Sequence, residues 1–327
     1  MPETYLRSWS DENDRVAMRR RGSKEVVRPT TKNVAVESDL YTIYGSGGEP
    51  DDFLEKALGD MVDGPASDML TRLGEQKCPS KRSNDRWDLS RFLAIQLVRT
   101  PDHISQALFA SLVAEYTGTR PISNDVVHTY MTDVHLGYPP SDREAQAATD
   151  FVNGALNMYG TLPTRYDALT ILFRVAVEQL APVLRDKAWS IEIDPKHRFI
   201  TTDLPVSKYW DPAKRRRYEG VGIANADEIR FPIDPRHLLV MRPRYPEHRI
   251  VVPDARVSAV NQQVAARCYR MIIARPDQAE SLTQLRLRDR PAALRFDIGP
   301  LIREGADGQQ IQDGREVIHQ YVEYEDE

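Results

Sequence analysis

A chain of 327 residues with 41% hydrophobic and 28% charged residues is long enough to bury a core unaided and too apolar to stay disordered. Its formal net charge of −5 excludes a wholesale nucleic-acid coat while leaving room for local basic patches. Two distant cysteines, Cys78 and Cys268, form no CxxC and no paired framework, and no apolar run approaches the ~20 residues of a membrane span. With no signal-like start, the expectation is a reduced cytoplasmic protein with no membrane partner.

From the N-terminus, Arg15-Val16-Ala17-Met18 and Glu25-Val26-Val27 flank a Gly22-Ser23 turn and are expected to pair as a hairpin. Residues 31–42 read as a strand, where a period of two puts Glu37 and Asp39 on one face. Two carboxylates on one face repel unless a cation, a base or water compensates, so the pair is a candidate metal site; it also suits a solvated strand edge. Gly45-Ser46-Gly47-Gly48 is a turn, after which Leu54, Leu58, Met61, Met69 and Leu73 keep helical spacing, broken at Gly64-Pro65. Further helices are expected over residues 87–99, ended by Thr100-Pro101, and over 104–116, 142–158 and 167–184, the last strongly apolar.

At Trp189 the periodicity switches from 3.6 to 2: Trp189, Ile191 and Ile193 alternate with polar neighbours before the turn Asp194-Pro195-Lys196-His197-Arg198. A second strand, residues 199–202, is stopped by Asp203-Leu204-Pro205, because Pro205 has no N–H to give a ladder. An acid at a strand end is where proteins place chemistry and also where they place ordinary turns. The loop that follows runs Tyr209-Trp210-Asp211-Pro212-Ala213-Lys214-Arg215-Arg216-Arg217-Tyr218. Four consecutive basic residues between aromatics can neutralise phosphates and stack bases, which makes 209–218 the candidate nucleic-acid contact; the same run suits a solubilising loop. Strands are expected over residues 228–233, with Pro232 suggesting an edge or bulge, and over 237–241 and 249–253. A last helix, residues 257–274, carries Val260, Val264, Cys268 and Met271 as its apolar stripe, with Asn261 beside it as a polar structural candidate. The tail beyond Gly299-Pro300 is expected to fray.

These elements predict an α+β fold: a mainly antiparallel sheet from the N-terminal and 189–252 segments, packed with a helical middle block and a late helix. One domain is expected over 1–275, with its helical block at about 51–185, followed by a partly flexible C-terminal extension, 276–327. No P-loop, Gly-rich dinucleotide fingerprint, GxSxG elbow, HExxH or zinc-like Cys/His spacing occurs. Asp194-Pro195-Lys196 matches the spacing of the last piece of a restriction-like nuclease core, but in a turn rather than a strand.

Four blocks carry a resemblance. Thr31-Lys32-Asn33-Val34-Ala35-Val36-Glu37-Ser38-Asp39-Leu40-Tyr41-Thr42 comes first and Arg91-Phe92-Leu93-Ala94-Ile95-Gln96-Leu97-Val98-Arg99-Thr100-Pro101 second. Phe199-Ile200-Thr201-Thr202-Asp203-Leu204-Pro205-Val206 and Phe231-Pro232-Ile233-Asp234-Pro235-Arg236-His237-Leu238-Leu239 complete the set. In this order they resemble the bacterial and phage family called domain of unknown function 4238, over roughly residues 4–275, and Asn261 sits where that family places an Asn in its last helix. Family members tend to open with a His-rich, Pro-containing lead; this chain begins Met1-Pro2-Glu3-Thr4 without those histidines, which puts in doubt any metal site that needs them.

The resemblance implies homology and fold and names no reaction, so whether the chain is an enzyme stays open. One reading is a metal-dependent hydrolase, a nuclease acting in phage–host conflict. Glu37, Asp39 and Asp203 would hold Mg²⁺ or Mn²⁺, with Glu37, Asp203 and Arg99 as catalytic residues and Arg99 on a phosphate. Tyr209, Trp210, Lys214, Arg215, Arg216 and Arg217 would grip the nucleic acid. The alternative is a non-catalytic nucleic-acid- or protein-binding chain, in which Arg99 pairs with Glu37, Asp203 caps a turn and Asn261 satisfies buried backbone. Oligomeric state is not legible.

Overall fold

A computed structural model describes residues 2–34, 43–44, 49–51, 56, 58–75, 78–118, 120–160, 164–211, 213, 221–289, 293–304 and 310–322. Glu37, Asp39, the turn at 45–48, the basic run Lys214, Arg215, Arg216 and Arg217 with Tyr218, and residues 323–327 lie outside the described residues. Along the chain, α1 (Glu3–Arg7) leads to β1 (Ala17–Arg20), β2 (Val26–Val27), β3 (Ile43–Tyr44) and β4 (Pro50–Asp51). Helices follow: α2 (Gly64–Glu75), α3 (Asn84–Val98), α4 (Pro101–Ala107), α5 (Phe109–Thr117), α6 (Asn124–Tyr130), α7 (Asp142–Tyr159), α8 (Arg165–Val175) and α9 (Ala181–Asp186). Then come β5 (Ala188–Ile193), β6 (Thr201–Thr202), β7 (Ser207–Tyr209), β8 (Glu228–Pro232), β9 (His237–Arg242) and β10 (Arg249–Val251). After these are α10 (Asp254–Arg267), β11 (Met271–Ala274), α11 (Ala279–Gln284), β12 (Ala293–Glu304) and β13 (Gln310–Val322). The class is α+β and the sheets are mainly antiparallel, as expected. No helix among the described residues is long and apolar enough to cross a membrane.

Local chemistry explains most boundaries. Ser83 and Ser141 start α3 and α7, each hydroxyl accepting from the backbone N–H three residues on, and Gly160 ends α7 in the left-handed conformation. The helix expected over 104–116 is two, α4 and α5, meeting at Leu108. The one expected over 167–184 passes through a π-helical turn, Ala176–Leu180, just before Pro182, where a missing N–H forces the chain to re-register. Of the strand expected at 31–42, Thr31–Asn33 is a 3-10 turn.

The chain divides into two compact units, where one domain over 1–275 was expected. The first unit holds Met1–Pro101 and Thr170–Pro291. Its larger sheet has the order β10-β5-β9-β8-β7, antiparallel except for β10 beside β5. Directly opposed residues share a face, so Trp189, Ile191, Leu239, Met241, Ile229 and Phe231 form one apolar face, all buried. Phe231 meets Phe92 of α3 and Tyr5 of α1, with ring centroids 5.9 and 5.2 Å away. The other face carries Glu192, Arg242, Arg230, Glu228 and Tyr209. Pro232 is neither on an edge nor in a bulge: β8 is internal, and Pro232 is its last residue, beyond the pairing with β7, where a missing N–H breaks no bond to that strand. The smaller sheet has the order β2-β1-β11-β6, and its β1–β2 pair is the predicted hairpin. Here the expected 257–274 helix is corrected. It stops at Arg267, Cys268 turns extended, and Met271-Ile272-Ile273-Ala274 becomes the strand between β1 and β6.

The second unit is Asp102–Leu169 with Ala292–Glu327; of the tail expected to fray, residues 300–304 and 310–322 are paired strands, and 323–327 lie outside the described residues. β12 and β13 pair from Ala293↔Val322 to Glu304↔Gln310. Leu294 and Phe296 are buried among Phe109, Val127, Tyr130 and Val152, and the Phe296 ring lies 4.7 Å from Phe109 and 5.4 Å from Phe151. Arg295 forks onto the buried carboxylate of Glu144 at the start of α7. Because this strand supplies core aromatics, Phe296→Ala is expected to lower stability by about 3–5 kcal/mol in a urea melt; a frayed tail would give no measurable change.

Candidate functional site

In Glu228-Ile229-Arg230 the two charged residues are two apart and so point to one face of β8, away from the apolar core. Register places Tyr209 opposite Glu228 and brings Arg242 of β9 and Glu192 of β5 onto the same face. α10 lies over it, presenting Arg256 and Gln263 from one flank, two turns apart. Arg256 forks onto Glu192 at 2.8 and 3.0 Å and reaches Glu228 at 2.9 Å. Arg242 donates to Glu228 at 2.7 and 3.1 Å and to Glu192 at 3.0 Å. Arg230, fully buried, gives its Nε to Glu228 at 2.6 Å, its Nη1 to Gln263, and its flat face to the Tyr209 ring at 4.3 Å.

Three guanidiniums therefore meet two carboxylates, and the layer carries one surplus positive charge. Burial pushes the Glu228 carboxyl up, but Arg230, Arg256 and Arg242 outweigh it and hold the group at about 2. Arg256 shifts the opposite way, upward: its desolvation is outweighed by Glu192 and Glu228. Nη1 of Arg242 and Nη1 of Arg256 make no hydrogen bond among the described residues, and these side chains are 17% and 25% exposed. The Arg242 guanidinium also stacks at 4.8 Å on Tyr245, a residue 51% exposed whose ring has the His248 ring 5.3 Å away as well. The two unbonded Nη1 groups can donate to an anion without giving up an existing bond.

The opposite flank of α10 holds the turn after β5. Asp254 takes Lys196 and Arg198, both at 2.7 Å. Asn261 accepts from Ile200 N at 3.2 Å and donates to the Arg198 carbonyl at 2.7 Å, tying two backbone groups of the turn to α10. Asp194 is buried, which raises its pKa, but the Arg198 fork and the N–H groups of Arg198 and Lys196 outweigh this and leave it below the ordinary range. The Asp194-Pro195-Lys196 match to a nuclease core is thus a turn clamp.

Asp203 sits just past β6, its carboxylate accepting the backbone N–H of Tyr269 at 2.9 Å and of Arg270 at 2.6 Å. That cap turns the chain out of α10 and into β11, which is why the helix stops where its apolar spacing does not. Arg99 holds both oxygens of Asp63 at 3.0 and 2.9 Å and Gln96 at 3.2 Å; the expected partner Glu37 lies outside the described residues. Trp210 corrects an expectation: at 6% exposed its ring packs inside and is closed to base stacking, while Tyr209 is committed to Arg230. Among the described residues no group of three or more His, Cys, Asp or Glu is placed to hold a metal ion. Glu192, Glu228, Arg230, Arg242, Tyr245 and Arg256 were not singled out from the sequence; the same-face spacing of Glu228 and Arg230 was the available signal.

The family model described as Protein of unknown function (DUF4238) matches residues 1–278. The chain belongs to that family. Its matched stretch contains Arg99, Asp203, Asn261 and the whole ion layer, and ends before β12. No curated protein and no solved structure matches the chain.

Because the folded-state pKa of Glu228 lies below its unfolded value, its stabilisation is present above about pH 4.3 and is lost as pH falls through about 2. Glu228→Gln is expected to cost about 3–5 kcal/mol at neutral pH, by leaving buried guanidiniums underpaired, and to flatten the stability–pH curve across that window. Urea melts at a series of pH values check both; parallel curves for the two proteins would remove Glu228 from this role.

Proposed function

We propose that the chain is a non-catalytic nucleic-acid-binding protein that takes phosphates at the edge of the β8–β9–α10 ion layer and on the adjoining basic run. The observation that carries this reading is the surplus positive charge of the layer, with Nη1 of Arg242 and of Arg256 unbonded among the described residues and the half-exposed Tyr245 ring against Arg242. Tyr209 lies against Arg230 at the layer, and the chain passes from it within five residues to Lys214, Arg215, Arg216 and Arg217. With a net charge of −5 the chain repels polyanions as a whole, so binding depends on this patch and is salt-sensitive. The hydrolase reading is less well supported. It asks Asp203 to serve Mg²⁺ or Mn²⁺ while both of its oxygens take backbone N–H groups, and it depends on Glu37 and Asp39, outside the described residues.

Fluorescence anisotropy with labelled single-stranded DNA and RNA, with and without Mn²⁺, tests the proposal. Wild-type chain is expected to bind without cleaving. Joint replacement of Arg215, Arg216 and Arg217 by Ala is expected to lower the salt slope by about 2, at ~0.7 per phosphate contact. Tyr245→Ala is expected to weaken binding about tenfold, within the range for losing one stacked base. Mn²⁺-dependent cleavage abolished by Asp203→Ala would replace this reading with the hydrolase, and absence of binding would end it.

A further inference from the structure

Three basic stretches that are far apart in sequence, Arg19-Arg20-Arg21, Arg267 to Arg270 and Arg286 to Arg288, are gathered at the C-terminal end of α10. Arg21 ties them together. Its backbone N–H donates to the Arg270 carbonyl at 2.8 Å, its Nε to the Tyr269 carbonyl at 2.9 Å, and its Nη groups to the carbonyls of Cys268 and Arg288. Gln262 of α10 holds Arg286 by its main chain, accepting the N–H at 3.1 Å and donating to the carbonyl at 2.8 Å. The side chains carried on this framework reach solvent: Arg20, Arg270 and Arg286 are exposed, and Arg267 and Arg288 half-buried. The three stretches hold seven arginines and no acidic residue. Asp203, bonded to the Tyr269 and Arg270 N–H groups, and Asp289, next in the chain after Arg288, offset only part of that charge.

This cluster continues the ion layer. Arg256, Gln263 and Arg267 recur two turns and then one turn apart, so they share one flank of α10, and from Arg256 to Arg267 that flank runs roughly 16 Å. Burial lowers the Arg230 pKa most, and the like charges of Arg256 and Arg267 add to the shift, so Arg267 stands close to the layer. We propose that the C-terminal end of α10 is a second phosphate-contacting surface, onto which a single nucleic-acid strand runs from Arg242 and Arg256. The inference rests on the nucleic-acid reading of the ion-layer edge and adds to it the path and length of the strand. Arginine suits this task, because its planar fork takes two phosphate oxygens at once. An anionic lipid surface fits less well: among the described residues, no exposed large hydrophobic that could anchor in a bilayer lies in 262–289.

The intact chain is titrated by fluorescence anisotropy, over a series of salt concentrations, with labelled oligothymidylates of about 5 and about 20 nucleotides, chosen to bracket most single-strand site sizes. In the wild-type chain the salt slope is expected to be steeper for the long oligonucleotide, since only it reaches both surfaces. Arg20→Ala, Arg270→Ala and Arg286→Ala together are expected to lower the long-oligonucleotide slope by about 2, at ~0.7 per phosphate contact. Arg20→Lys, Arg270→Lys and Arg286→Lys together keep the charge and are expected to keep the slope. Equal wild-type slopes for the two lengths would overturn the inference without any variant. So would an unchanged slope in the Ala variant, or a slope lost equally in the Lys variant; wild-type binding would then leave the ion-layer reading standing. Absence of oligonucleotide binding by the wild-type chain would end both. If the Ala variant lost binding to phosphatidylserine vesicles and bound oligonucleotides as before, the cluster would belong to a membrane surface instead.

Discussion

Glu192, Glu228 and Arg230 are charged groups lying under a helix, and a charge taken out of water is tolerable only when paired and hydrogen-bonded. That requirement sets how α10 sits on the larger sheet. Arg256 must reach both glutamates at once and Gln263 must meet Arg230, which leaves little freedom of rotation or slide. An apolar interface would tolerate small shifts, while forked guanidinium–carboxylate pairs do not. The layer is better read as specifying one arrangement than as adding net stability, because buried pairs roughly offset their own desolvation.

Once α10 is placed, its other flank organises the smaller sheet. Asp254 and Asn261 hold residues 196–200, which feed β6. Asp203, at the end of β6, reaches across to the Tyr269 and Arg270 amides and starts β11, and β11 in turn pairs with β1. Tyr5 closes the circuit: its hydroxyl bonds both Thr201 of β6 and the Pro232 carbonyl of β8, at 2.7 and 2.6 Å. Three of the family-like residues, Arg99, Asp203 and Asn261, thus have concrete tethering roles in the first unit.

What could be read from the residues follows the range of the forces involved. The β1–β2 hairpin, α3, α7, β5 and β9 were legible because caps, turn residues and apolar period act within a few positions. The end of α10 was not, because Met271 continues the helical stripe and the competing group, Asp203, lies 66 residues before Tyr269. The second unit was missed for a similar reason. Leu294, Phe296 and Ile298 alternate with Arg295 and Asp297, but the helices they pack on precede them by more than a hundred residues. The ion layer joins three strands and a helix, so neither carboxylate reveals its partners locally.

A brace with a surplus charge also shapes the surface. Two glutamates neutralise two of the three arginines, and the surplus is partly exposed at Arg242, which lies against the Tyr245 ring, and at Arg256. Photo-crosslinking a short single-stranded oligonucleotide to the intact chain, followed by peptide mapping, tests most directly whether this edge is where a nucleic acid sits. Crosslinks in residues 209–217 and 242–256 are expected, disappearing at high salt; crosslinks confined to residues 102–169 and 292–327, or none at low salt, would contradict it.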